Sequence, residues 1–190
     1  RSGSGGGPGI LFVAAIVIAV LLISVLSSKK KRTSVTPGAT RTPQSRLTPI
    51  ENYRTLDPDF SPEDFKEWLQ NLYIKMQDCC TKRDEEPIRP YFADSLYQQF
   101  DRQIKALLAN RQINHVDRIA VLDVNLRGFF QEGGNDHLVA ELKTRITDYT
   151  VDENTGNLIS GSKTAEKFMT YEWDLSRPTG TVTEQAGAVT

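Results

Sequence analysis

Residues 57–177 predict an α+β domain in which two helices precede and pack on a curved antiparallel sheet, with one transmembrane helix ahead of it. Three observations carry that prediction. Apolar residues recur at three-and-four spacing in two stretches after Ser61. The period changes to two after Ile119. Residues 10–26, ILFVAAIVIAVLLISVL, run without a charge.

The chain divides accordingly. Residues 1–9, RSGSGGGPG, cannot bury an apolar face and read as a flexible lead-in to a chain that opens at Arg1, as a fragment or processed form would. Residues 10–28 form the expected transmembrane helix. Its seventeen uncharged positions from Ile10 to Leu26, apolar except for Ser24, measure about 26 Å as a helix, and small flanking residues bring it close to the ~30 Å hydrocarbon thickness. A signal peptide places its cations before the apolar run; here Lys29, Lys30, Lys31 and Arg32 follow it. Cations beside a span stay on the cytoplasmic side, so these four predict an inner-membrane, single-pass protein with its C-terminal domain in the cytoplasm. They are also the residues placed to meet anionic lipid. Residues 29–56, rich in Thr, Pro and Ser, read as a basic tether. Residues 178–190 lose all pattern and read as a linker.

Charge separates the parts further. From Lys29 to Arg54 there are seven basic residues and one acid, a net of +6. From Thr55 onward there are 15 basic and 23 acidic residues, a net of −8. An acidic domain is a poor partner for nucleic acid or for an anionic lipid surface, since both bind through phosphate neutralisation, and only the tether suits such a surface.

In the first helix, Ser61 is an N-cap, Pro62 suits the first helical position, and Glu63 and Asp64 complement the helix dipole. Phe65, Trp68, Leu69, Leu72, Met76, Cys79 and Cys80 form its buried stripe, and it is expected to end near Arg83. Pro87 and Pro90 separate it from a second helix, starting near Asp94, that buries Leu96, Phe100, Ile104, Leu107 and Leu108 and stops at Asn110. A first strand, residues 119–130, puts Leu122, Val124 and Leu126 on one face. The turn of residues 131–136 leads to a second strand with Leu138, Ala140, Leu142 and Ile146 inward. After another turn, residues 166–176 alternate Met169, Tyr171, Trp173 and Leu175 with polar positions.

Little in this pattern points to catalysis. Adjacent Cys79 and Cys80 read as buried helix residues in a reducing compartment, and neither they nor His115 and His137 have metal-ligand spacing. No phosphate loop or nucleophile–base set is present, so no catalytic, metal or cofactor residue is assigned. Trp68, Leu72, Tyr73, Met76, Tyr97, Phe100, Met169, Tyr171 and Trp173 are the candidate lining of a pocket or of the core.

Several stretches taken together resemble a known family. They are Asp57-Pro-Asp-Phe60, Thr81-Lys-Arg-Asp84, Pro87-Ile-Arg-Pro-Tyr-Phe92, Gln131-Glu-Gly-Gly134, and Asp148-Tyr-Thr-Val-Asp152 with Thr155-Gly156. Their order and spacing are similar to the Tim44-like domain, named for a mitochondrial inner-membrane import translocase subunit and also found in bacterial membrane proteins. The resemblance covers about residues 57–177, and the preceding Gly/Ser stretch, span and Lys cluster are similar to the bacterial members. It implies a cone like that of nuclear transport factor two, with helices on a curved sheet around a pocket, and no enzyme activity. Many bacterial relatives continue into a Cys-x-x-Cys zinc ribbon and a last strand, which this chain does not reach; without that strand an edge of the sheet is expected to be open.

The function expected is therefore a membrane-tethered, non-catalytic binding or scaffold module, serving protein translocation or membrane-protein and lipid interaction. Its partners are membrane lipid through the span, and a protein or hydrophobic ligand for the domain. Two alternatives stand beside it. One is a cell-envelope assembly component with the domain outside the cytoplasm. The other is a small-molecule enzyme on the same cone, with Asp123 as proton acceptor and Tyr171 as oxyanion donor, although the strand reading turns Asp123 toward solvent.

Overall fold

The computed structural model describes residues 13–15 and 41–184. Its order of elements is β1 (Val13–Ala15), two short 3-10 helices (Gln44–Arg46 and Ile50–Thr55), α1 (Pro62–Lys82), a third 3-10 helix (Glu86–Tyr91), α2 (Asp94–Ala109), β2 (Gln112–Glu132), β3 (Asn135–Asp152) and β4 (Leu158–Pro178). Strands β2, β3 and β4 form an antiparallel meander, and the helices cover one of its faces. The predicted α+β class holds for this part of the chain.

The helix boundaries follow local chemistry. The Ser61 side chain accepts from the Asp64 amide, Pro62 opens α1, and Arg83 closes it in the left-handed conformation, its amide reaching the Cys79 and Cys80 carbonyls. Helix α2 starts at Asp94 and is capped at Asn110. Leu108, expected to be buried, is 48% exposed; the inward stripe of α2 is Leu96, Phe100, Ile104 and Leu107, and Leu108 falls one position beyond it.

The strands are longer than the alternation suggested, because β2 begins at Gln112 and β4 at Leu158. Polar residues near the ends hide the period, and β2 carries register shifts at 117–120, 121–123 and 126–128. The middle shift displaces Leu122, which is 53% exposed rather than sharing the inward face of Val124. The β2–β3 turn is the two-residue Gly133-Gly134, both at positive φ, the conformation that such hairpins require. Rows of paired residues then run across the inner face: Val124, Leu142 and Tyr171; Leu126, Ala140 and Trp173; Phe129, Leu138 and Leu175. With Phe65, Leu69, Leu72, Tyr73 and Met76 of α1 and Phe100 and Ile104 of α2 they make the core.

Three expectations about the ends change. Of the expected span over 10–28, only Val13–Ala15 is described. It is a strand there rather than a helix, pairing antiparallel with Asp174–Ser176 at the outer edge of β4. The remainder of 10–28 lies outside the described residues, and among the described ones no helix is long and apolar enough to cross a membrane. Second, the tether expected over 29–56 is folded from Arg41 onward. Ile50 and Tyr53 are buried, three residues apart on a 3-10 helix, where that spacing puts both on one side. Lys29, Lys30, Lys31 and Arg32 lie outside the described residues. Third, residues 178–184 of the expected linker fold back, with the Thr179 amide donating to the Gly134 carbonyl and Thr183 reaching Asp57.

Candidate functional site

Of the aromatic residues proposed as pocket lining, Tyr73, Tyr171 and Trp173 meet where α1 packs on the inner face of the sheet. Tyr73 lies 5.7 Å from Tyr171 and 6.3 Å from Trp173, centroid to centroid, and its hydroxyl is 3.1 Å from the Thr144 hydroxyl. Leu72, Tyr73, Met76, Phe100, Tyr171 and Trp173 are buried; Trp68, Tyr97 and Met169 are partly buried and pack against that core. Burial raises the pKa of both Tyr73 and Tyr171, so both phenols stay protonated. Tyr97 stands apart from the others, its hydroxyl donating to Glu86 and its ring under the Arg89 guanidinium. Asp123 lies on the outer face, half exposed and 3.8 Å from Lys143, whereas Tyr171 faces inward. The carboxylate and phenol weighed as a proton-abstraction pair are on opposite sides of the sheet.

A second cluster joins three distant segments. Arg177, at the inner-face end of β4, donates to the Asp57 carboxylate at 2.5 Å and to the Tyr53 hydroxyl at 3.1 Å. The Tyr53 hydroxyl donates to Asp136 at 2.8 Å, and Asp136 also accepts from Gln131 and Thr179. Thr183 donates to Asp57 through its amide at 3.0 Å and its hydroxyl at 2.6 Å. Asp57 and Arg177 are fully buried. Burial alone would raise the Asp57 pKa, but Arg177 and Thr183 together outweigh it and hold the carboxyl below its ordinary range. Tyr53 is raised, mainly by burial. The cluster clamps residues 53–57 and 177–183 to the sheet; the Asp57 charge is met by Arg177, and Asp136 is held by the neutral donors Tyr53, Gln131 and Thr179.

The outer face carries a strap, residues 41–48. Arg41 bridges Glu141 at 2.7 Å and Glu172 at 3.2 Å, and the Thr42 amide donates to Glu172 at 2.7 Å. Arg127 donates to the same Glu172 at 2.5 Å and to the Gln44 side chain at 3.2 Å. Arg46 lies 4.1 Å above the Phe130 ring, which stacks on His137 at 4.6 Å; His137 Nδ1 in turn is 2.9 Å from Asp174.

Between the 3-10 helix Ile50–Thr55, the start of α1 and β2, a groove of about 410 Å³ opens. Ile50, Pro62 and Leu126 supply apolar lining, with Glu51, Arg54, Glu63, Lys66 and Asn125 around them. Its volume is within the range of small-ligand sites, and its mixed charges suit a peptide segment better than a uniformly charged ligand. None of the aromatics proposed from the sequence lines it.

A model of the Tim44-like domain matches residues 48–186. The chain belongs to the Tim44-like family. No curated protein matches it. The Tim44-like match contains Tyr53, Asp57, Asp136 and Arg177 and begins at Thr48, the residue at which the strap first pairs with the sheet. The rest of the strap, from Arg41 to Leu47, lies ahead of it.

Sequence reasoning missed the clamp, yet strand parity contains it. Continuing the alternation of Tyr171, Trp173 and Leu175 by two puts Arg177 inward, and stepping back from Leu138 does the same for Asp136. Two opposite charges on one buried face point to a polar cluster there, although the carboxylate that pairs with Arg177 is Asp57, which lies outside the strands. The strap left no such signal, because its partners lie 83 to 131 residues away.

Proposed function

We propose that this Tim44-like chain is a membrane-tethered, non-catalytic binding or scaffold module. Residues 10–28 anchor it as a membrane helix, a state in which Val13–Ala15 leave the edge of β4; Lys29, Lys30, Lys31 and Arg32 hold the domain on the cytoplasmic side, and the domain presents the Ile50–Leu126 groove to a protein segment or hydrophobic ligand. The family match over the folded domain carries this reading, since a binding or scaffold role in association with membrane is what the family supports. Two features of the site agree with it. The groove is lined by apolar residues and charges of both signs rather than by a nucleophile and base. The buried carboxylate Asp57 is engaged by Arg177 and Thr183.

A photo-crosslinking residue at Lys66, in the groove, tests the proposal in native membranes. A discrete protein or lipid adduct, absent from a control carrying only residues 1–40, is the result expected. Adducts no different from that control would remove the binding role.

A further inference from the structure

Four charged side chains around the Ile50–Leu126 groove stand in a repeated order. Glu51 and Arg54 are three residues apart on the 3-10 helix Ile50–Thr55, a spacing that puts both on one side of it. Glu63 and Lys66 are three residues apart on α1, again neighbours on one side. Each wall of the groove therefore carries an acid and then a base. Among the described residues none of the four has an ion-pair partner within 4.0 Å, whereas Lys82 of α1 and Lys105 of α2 pair with Asp78 at 2.6 Å and Asp101 at 2.8 Å. Arg54 Nε donates to the Phe60 carbonyl at 3.0 Å, which orients the guanidinium beside the groove without using its terminal nitrogens. Asn125 adds an exposed carboxamide from β2, the last strand on this side of the sheet.

These groups discriminate between classes of occupant. A wholly apolar ligand laid on Ile50, Pro62 and Leu126 would take water from four charges and return no partner to any of them. A phosphorylated or otherwise anionic small molecule would satisfy Arg54 and Lys66 but meet Glu51 and Glu63. A polypeptide segment can supply an apolar side chain for the floor, both signs of charge for the walls, and backbone amides for Asn125.

We infer that the groove recognises a segment of a partner polypeptide in which a large apolar residue has an acid and a base within about four residues of it. The acid meets Arg54 and Lys66, the base meets Glu51 and Glu63, and the apolar side chain covers Ile50, Pro62 and Leu126. The inference rests on the groove's being the binding site proposed above and adds the chemistry of what it binds.

The test pans a phage-displayed library of random peptides, each about twelve residues long, against the full chain purified in detergent. Enriched peptides are expected to share the apolar residue with its flanking acid and base. Glu51→Lys should weaken their binding about tenfold or more, and exchanging the peptide's base for glutamate should restore binding to that variant alone. Glu51 is exposed, and its side chain has no hydrogen bond or ion pair among the described residues, so the substitution leaves the fold in place. Arg54→Glu, answered by exchanging the peptide's acid for lysine, reads the opposite sign. Enriched peptides that bind both variants as tightly as the parent chain would overturn the inference while leaving a binding module. Enriched peptides that are apolar throughout would overturn it in favour of a hydrophobic ligand. A library that enriches nothing would also overturn it, and the crosslinking at Lys66 would then show whether the groove binds anything.

Discussion

Thr48 and Phe129 exchange both of their backbone hydrogen bonds, at 2.8 and 2.9 Å, and this one bridge ties the segment entering the domain to the C-terminal end of β2. The residue beside it is Gly128, at φ +138°. A Cβ there would lie 2.4 Å from the Thr48 carbonyl oxygen and 3.0 Å from Leu47 Cβ. Glycine is required at this position for two independent reasons, the close approach and the backbone conformation.

Gly128→Ala is therefore expected to lift the strap while leaving the helices in place. The cost is of order 1–3 kcal/mol, the range for a residue forced into a disfavoured conformation. Urea unfolding measures it, and amide exchange at Thr48 and Phe129 localises it. Faster exchange at these two amides, with the α1 amides unchanged, is the expected pattern.

Removing one partner of the Asp57–Arg177 pair strands the other charge in the core. Asp57→Asn is expected to cost about 3–5 kcal/mol, as for breaking a buried ion pair. Arg177→Met should cost a similar amount. The double variant should be less destabilised than the sum of the two, because neither charge is then left alone. Denaturant midpoints for the four proteins close the cycle.

The same pair sets part of the acid response. The folded pKa of Asp57 lies below its unfolded value of about 3.9. Between the two values the unfolded chain binds more protons, so this contribution to stability is present above about pH 4 and is lost as pH falls through the folded pKa. Asp174 has the opposite sign. Burial raises its pKa against the opposing effect of His137, so its contribution is present below the unfolded pKa and lost as pH rises through the folded one. Unfolding midpoints from pH 6 to pH 2.5 should fall less steeply in Asp57→Asn than in the parent chain. In Asp174→Asn the fall at low pH should be steeper.

The adjacent thiols are expected to be unreactive while the domain is folded. Burial is the main cause of the rise in both pKa values, to about 11 for Cys79 and about 12 for Cys80. A chromogenic disulfide reagent at pH 8 should modify neither in the native chain and both in concentrated urea. Fast modification without denaturant would show that α1 opens locally.

Elements set by near neighbours were legible in the sequence. The Ser61 cap, Pro62 and the apolar stripe of α1 all act within a few residues of one another, and the inward parity of Leu138, Ala140 and Leu142 needs only a regular strand. Leu122 was misplaced because a bulge changes parity, and the bulge depends on how β2 pairs with β3 rather than on β2 itself. The strap was read as a tether because it lacks a long apolar period; its order comes from Glu141, Glu172 and Phe129 on the sheet. The candidate lining was legible as a set of large inward residues, but its packing against α1 was not. Whether such residues enclose a ligand or fill a core depends on how near the helix lies.

Membrane anchoring with the domain in the cytoplasm is the claim on which the function depends. The direct measurement is protease treatment of intact cells and of inverted membrane vesicles, after alkaline carbonate extraction has shown which fraction holds the chain. The account predicts that the chain stays with the extracted membranes, and that residues 41–184 are protected in cells and cleaved in inverted vesicles. Release by carbonate, or cleavage of the domain in intact cells, would contradict it.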